Sequence, residues 1–127
     1  MILIVDDDVA MAETCAMLLE SHGYDVSTAC SGAEALDMMH AGPHDLLISD
    51  FAMPGMTGLE LSEQIRAAPA TAHLPILLMS ASRRCEIAHE ESYDAFLRKP
   101  FLAEDLVGAV RKLLAPVPAS PVNFLKV

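Results

Sequence analysis

Short apolar runs recur along this chain and alternate with segments of helical period, a pattern compatible with few folds. Residues 2–5 (ILIV), 46–49 (LLIS), 76–79 (ILLM) and 95–98 (AFLR) are largely apolar and stop abruptly at polar or charged positions. Such runs suit strands covered on both faces. Around 24–28, Tyr24, Val26 and Thr28 alternate with polar residues, the period of a half-exposed strand. Between these runs, Met11, Cys15, Leu18, Leu19 and His22 recur on one helical face, and Gly23 supplies a stop. Ser31 with Glu34, and Thr57 with Glu60, have capping-box spacing ahead of Leu36 and Met39 and of Leu61 and Ile65. Residues 83–92 spell a short polar helix. A last helix carries Leu106, Val107, Val110, Leu113 and Leu114, with Glu104 and Asp105 in its first turn and Arg111 and Lys112 in its last, as the helix dipole favours. Five strands alternating with five helices predict an α/β domain, a parallel sheet with helices on both faces reached by right-handed crossovers. A β-sandwich is excluded.

At 127 residues there is room for one core, and no stretch reaches the roughly 18–20 apolar residues of a membrane span. The N-terminus lacks the basic region and cleavage pattern of a secretory signal, so a cytoplasmic protein without a membrane partner is expected. A formal charge of −10 repels phosphates and argues against direct binding to nucleic acid. Cys15, Cys30 and Cys85 are odd in number, with no C-x-x-C spacing, and read as reduced core-compatible residues. The five histidines form no ligand spacing, and the eight methionines read as core filling. The domain is placed at 1–115, with 116–127 as a Pro-rich tail or the start of a linker.

Ligands of open parallel α/β sheets gather beyond the carboxyl ends of the strands. Here those ends bring Asp6 and Asp7, Asp50, Ser80 and Lys99 toward one edge. An acid after one strand is often only a helix cap, but four strand ends of this kind in one chain make a specific pattern. Three neighbouring carboxylates repel one another and must take up protons or a cation; a hard divalent ion such as magnesium suits oxygen ligands and leaves room for a phosphorylated substrate. A metal and a lysine can stabilise a transferring phosphoryl group from separate sides, and a carboxylate can be the nucleophile.

These segments resemble the receiver domains of bacterial response regulators: I-L-I-V-D-D-D at 2–8, L-L-I-S-D-F-A-M-P-G-M-T-G at 46–58, L-L-M-S-A at 77–81 and F-L-R-K-P-F at 96–101, within a likeness running from about Ile2 to Leu114. The resemblance implies a flavodoxin-like (βα)5 doubly wound sheet of strand order 2-1-3-4-5. It implies Asp50 as phosphoacceptor, and Mg2+ (or Mn2+) held by Asp7, Asp50 and the backbone carbonyl of Ala52, with Asp6 acting mostly through a metal-bound water. Ser80 would hydrogen-bond the incoming phosphoryl oxygen, and Lys99 would pair with the carboxylate and then with the phosphoryl. It further implies a cis peptide between Lys99 and Pro100, and a phosphohistidine donor on a histidine kinase or histidine phosphotransfer protein. Such a domain catalyses its own phosphorylation and dephosphorylation, acts on a downstream partner or output domain, and in some members forms a homodimer on phosphorylation. In the implied switch Ser80 moves toward the phosphoryl and Phe96 turns inward; lacking a phenol oxygen, Phe96 is expected to favour the inward state even before phosphorylation.

Besides Phe96, this chain departs from the family pattern in two further respects. The stretch from Ser80 to Lys99 is a few residues short, which truncates the fourth helix or its approach. Ala52 and Ser82, at positions that tune water access, are both small, and Arg83 and Arg84 read as solvated surface residues. Asp6 and Asp8 loosely fit the D-x-D of haloacid-dehalogenase phosphatases, but Ala10 stands where Thr or Val is expected and no later acidic pair follows. A dinucleotide-binding module would need G-x-G-x-x-G after the first strand, where this chain has D-D-D. A receiver-like adaptor that binds partners without phosphorylation keeps the fold but has no need of all five site residues.

Overall fold

A computed structural model describes residues 1–81 and 92–115. Its elements are β1 (Ile2–Val5), α1 (Val9–Glu20), β2 (Val26–Ala29), α2 (Gly32–Ala41), β3 (Leu46–Asp50), α3 (Gly58–Ala67), β4 (Ile76–Ser80), β5 (Ala95–Arg98) and α4 (Ala103–Leu114). All pairings are parallel, in the order β2-β1-β3-β4-β5. Five helices were expected and four stand among the described residues; the short helix over 83–92 lies outside them except for Ser92. Ser82, Arg83, Arg84, Cys85, His89 and the tail 116–127 also lie outside.

Alternation along the covered strands sorts the core into two layers. Ile2, Ile4, Leu46, Ile48, Leu77 and Met79 face α1 and α4, meeting Cys15, Leu19, Leu106 and Val110. Leu3, Val5, Leu47, Ile76 and Leu78 face α2 and α3, meeting Ala35, Leu61 and Ile65. With side chains of this size each contributing roughly 1.5–3 kcal/mol on burial, the two layers fix which residue stands at each strand end.

Several local readings shift. The buried stripe of α1 is Ala12, Cys15, Ala16 and Leu19; Met11 and Leu18 are half-buried, and His22 lies exposed beyond the helix end at Ser21. In β2, Thr28 is exposed whereas Ala29 is buried, because an edge strand with a single partner leaves outer positions in water. Strands β3 and β4 run one residue past their apolar runs, so Asp50 and Ser80 are held within the ladder.

Caps set where the helices begin. Thr57 and Glu60 form a reciprocal box at α3, with bonds of 3.1 and 2.9 Å. At α2, Ser31 Oγ accepts from Glu34 N at 3.1 Å, but the Glu34 carboxylate reaches one residue further back, to Cys30 N at 2.8 Å. The Cys30 N–H, with its thiol second, holds the Glu34 carboxyl below its ordinary pKa. Because the folded state releases this proton more readily than the unfolded chain, the stabilisation is complete above the ordinary carboxylate value and is lost as pH falls through the lowered one. Glu34→Ala should therefore lower the thermal midpoint modestly at neutral pH, and the difference from the parent should vanish in acid, as followed by circular dichroism.

At the opposite end of the sheet from the acids, Arg66 on α3 donates to the Leu74 and Ala72 carbonyls at 2.5 and 3.2 Å and to Asp94 at 2.6 Å. Asp94 also accepts from Ile76 N at 2.8 Å. This fork ties α3 to the starts of β4 and β5 and so sets their register.

Candidate functional site

The chain turns from β1 toward β2 on one side and toward β3 on the other, leaving a crevice beyond their carboxyl ends. Val5 is in register with Ser49, so the next residues, Asp6 and Asp50, stand side by side. Carboxylate oxygens of Asp6, Asp7 and Asp50 lie within 4.8 Å of one another. Asp6 is 1% exposed and Asp50 8%, whereas Asp7 stands at the open rim. Lys99, one residue past β5, donates from Nζ to Asp50 Oδ1 at 2.8 Å and to Asp6 Oδ2 at 3.4 Å. Its backbone N–H bonds the Ser80 carbonyl at 2.9 Å, which fixes the lysine beside the end of β4.

Burial pushes the Asp6 carboxyl above its ordinary pKa, and the Asp50 charge adds to this; the Asp8 N–H and Lys99 pull the other way. Desolvation alone would lower Lys99, but the bonds and charges of Asp50 and Asp6 outweigh it and raise its pKa, so the lysine stays protonated. Nearby Cys15 is raised by burial and then by the Asp6 charge, which keeps its thiol unreactive. Among the described residues, three carboxylates against one ammonium leave two negative charges uncompensated, the charge of one divalent cation. Hard oxygen donors of this kind are the ligands that Mg2+ takes.

Each remaining sequence-predicted residue has a definite place. Ala52 is exposed in the loop from β3 to α3, directly after Phe51, whose N–H bonds Met79 O at 2.8 Å. Ser80 is buried at the end of β4. The Lys99–Pro100 peptide is cis. Phe96 is half-buried on the α2 and α3 side of the sheet, its ring 6.4 Å from that of Tyr93. Asp8, the second acid of the D-x-D pattern, is the N-cap of α1 and accepts from Met11 N at 3.1 Å. Sequence reasoning passed over two contributors to the Asp50 backbone. Ser49 Oγ donates to the Asp50 carbonyl at 2.9 Å, and Gly58 packs directly against it. The second closes the 46–58 segment that carries the resemblance, where it was given no role.

Fold and pocket together define a class: doubly wound α/β domains that gather carboxylates and a lysine at a topological switch point, suited to a divalent ion and a phosphoryl group. The model of the response regulator receiver domain matches residues 2–111. Chemotaxis protein CheY of Pseudomonas aeruginosa is 37% identical over 120 residues, covering 91% of this chain and 97% of the relative. Response regulator MprA of Mycobacterium avium is 38% identical over 118 residues, which cover 89% of this chain but only 50% of that longer protein. Among solved structures, the response regulator TrrA of Thermotoga maritima, in complex with Mg2+-BeF, is 34% identical with a TM-score of 0.82, over 89% of this chain and 97% of its own. The chain belongs to the response regulator receiver domain family, the signalling modules of two-component systems.

Proposed function

We propose that this domain takes a phosphoryl group onto the Asp50 carboxylate from a phosphohistidine of a histidine kinase or histidine phosphotransfer protein. The observation that carries this reading is that one side chain, Asp50, is both a member of the acid cluster and the 2.8 Å partner of Lys99. An Asp50 oxygen attacks phosphorus as the bond to the donor nitrogen breaks; the electron pair leaves with the imidazole, which takes a proton from solvent. Lys99 neutralises Asp50 beforehand and follows the developing charge onto the phosphoryl oxygens, and the Ser80 hydroxyl donates to one of them. Asp7, Asp50 and the Ala52 carbonyl would hold Mg2+ (or Mn2+), with Asp6 acting through a bound water; the ion supplies charge neutralisation on the phosphoryl oxygens. Hydrolysis of the aspartyl phosphate by water, releasing inorganic phosphate and restoring Asp50, completes the cycle as the domain's own dephosphorylation.

The output belongs to the same proposal. Ser80 moves toward the phosphoryl and Phe96 turns further into the sheet, where its ring has no hydroxyl to desolvate. The altered face binds a downstream protein, an output domain or a second copy of the chain. Residues 1–115 form the receiver, 116–127 a tail or linker, and the cytoplasm is its compartment. Among the described residues no helix is long and apolar enough to cross a membrane.

Incubation with acetyl phosphate and Mg2+ should add one phosphoryl group by intact mass. No gain, under conditions that load a control receiver, would favour an adaptor that works unphosphorylated.

A further inference from the structure

We infer that Gly58, working with Ser49, is a positioning residue that holds the Asp50–Phe51 backbone where the metal and phosphoryl ligands must stand. This rests on the reading that Asp50 and the Ala52 carbonyl hold the metal.

Gly58 is the first residue of α3, a place where the helix itself has no need of glycine, and its φ is not in the left-handed region. The need is for space. A Cβ built there would overlap the Asp50 carbonyl oxygen and stand 3.0 Å from the Asp50 carbonyl carbon and from Phe51 Cα. These are backbone atoms, so no side chain can turn away to make room. Both sides of the contact are also anchored. On the helix side, Thr57 and Glu60 close the cap, Ser62 Oγ donates to Gly58 O at 2.7 Å within the core, and Leu61 and Ile65 are buried. On the strand side, Ser49 Oγ holds the Asp50 carbonyl and Phe51 N holds Met79 O. Gly58 N donates to Phe51 O at 2.8 Å, joining the two sides one peptide before Ala52.

A methyl group at 58 must open this junction. The displacement is larger than the tolerance of about 0.2 Å on metal–ligand distances. It falls on the backbone that carries the Asp50 carboxylate and leads into Ala52. Gly32 supplies the contrast: a Cβ there would meet Met56 Sδ at 2.6 Å and Cγ at 3.1 Å, which another rotamer carries away, and Met56 Cβ at 3.0 Å, which needs to give by only a few tenths of an ångström, with no backbone atom among the three nearest.

Mg2+ affinity should be measured by calorimetry on the metal-free full chain, with thermal unfolding in EDTA as the measure of fold. Gly58→Ala should weaken Mg2+ binding about tenfold to a hundredfold, the range found when groups supporting metal ligands are disturbed. The extra thermal stability that Mg2+ confers should shrink with it, a readout that a purely structural defect would leave unchanged. Gly32→Ala should bind Mg2+ like the parent. Parental affinity in Gly58→Ala, or an equal loss in Gly32→Ala, overturns the inference. If Gly58→Ala does not fold, Ser49→Ala decides: an affinity about threefold to tenfold weaker supports the anchor, and an unchanged one overturns it. A parent protein that binds no Mg2+ would instead refute the metal reading itself, a result distinct from either.

Discussion

Asp50→Asn should remove phosphoryl uptake, lowering it on the order of 10⁴-fold or more, as expected when a nucleophile is deleted. The amide is nearly the same size as the carboxylate, so the buried end of β3 keeps its packing. Its nitrogen lone pair, however, is delocalised into the carbonyl, and neither terminal atom attacks phosphorus usefully. Asp6→Asn is the informative partner. Asp6 Oδ1 accepts from Asp8 N at 3.0 Å and Oδ2 faces Lys99 at 3.4 Å, so it tunes the pocket from beside the nucleophile. Its replacement should reduce uptake about tenfold to a hundredfold through weaker metal binding. A phosphatase using the D-x-D pattern would reverse the order, with the complete loss following Asp6. The cap made by Asp8 already speaks against that order, because its carboxylate is committed to the first turn of α1. Intact mass after acetyl phosphate at a fixed Mg2+ concentration below saturation distinguishes the two; equal uptake by Asp50→Asn and the parent would remove Asp50 from its role.

The site was legible in the sequence because each covered strand ends abruptly at a polar residue. Once a parallel sheet is accepted, register alone brings Asp6 beside Asp50. The capping box at Thr57 and Glu60 was equally plain, since a cap is a local device written within four residues. What escaped was long-range or depended on small groups. Ala12 and Ala16 centre the buried face of α1, yet alanine carries little weight in a periodicity reading. Arg66 and Asp94 are 28 positions apart and meet only after folding. Gly58 looks like an ordinary helix start until the Asp50 backbone is set against it. Thr28 misled because the alternation of an edge strand says little about which side water reaches.

Lys99→Ala should destabilise the metal-free protein by about 2–3 kcal/mol and make it depend on Mg2+ for much of what it loses. Removing one partner of a buried ion pair costs about 3–5 kcal/mol, because the other charge is left behind without compensation. Here the stranded groups are Asp6 and Asp50, both nearly inaccessible, but Lys99 is 19% exposed and Asp7 opens the pocket to water, so solvent screening brings the cost to the bottom of that range or just below it. In EDTA the thermal midpoint should fall by roughly 10 °C, the shift such a loss produces in a domain of this size. Added Mg2+ should raise the midpoint more in the variant than in the parent, since a cation that binds only the folded state stabilises it by an amount that grows with the logarithm of its affinity, and three unscreened carboxylates attract it more strongly. Phosphoryl uptake should nevertheless stay low, down on the order of 10²–10³-fold even at saturating Mg2+, because an ion held by Asp7 and Asp50 would not supply the ammonium that stands 2.8 Å from Asp50 Oδ1. Differential scanning with and without Mg2+, beside uptake by mass, separates the two contributions. A variant as stable as the parent in EDTA would show that the lysine does not hold the acids together, and full uptake with Mg2+ would show that transfer does not need it.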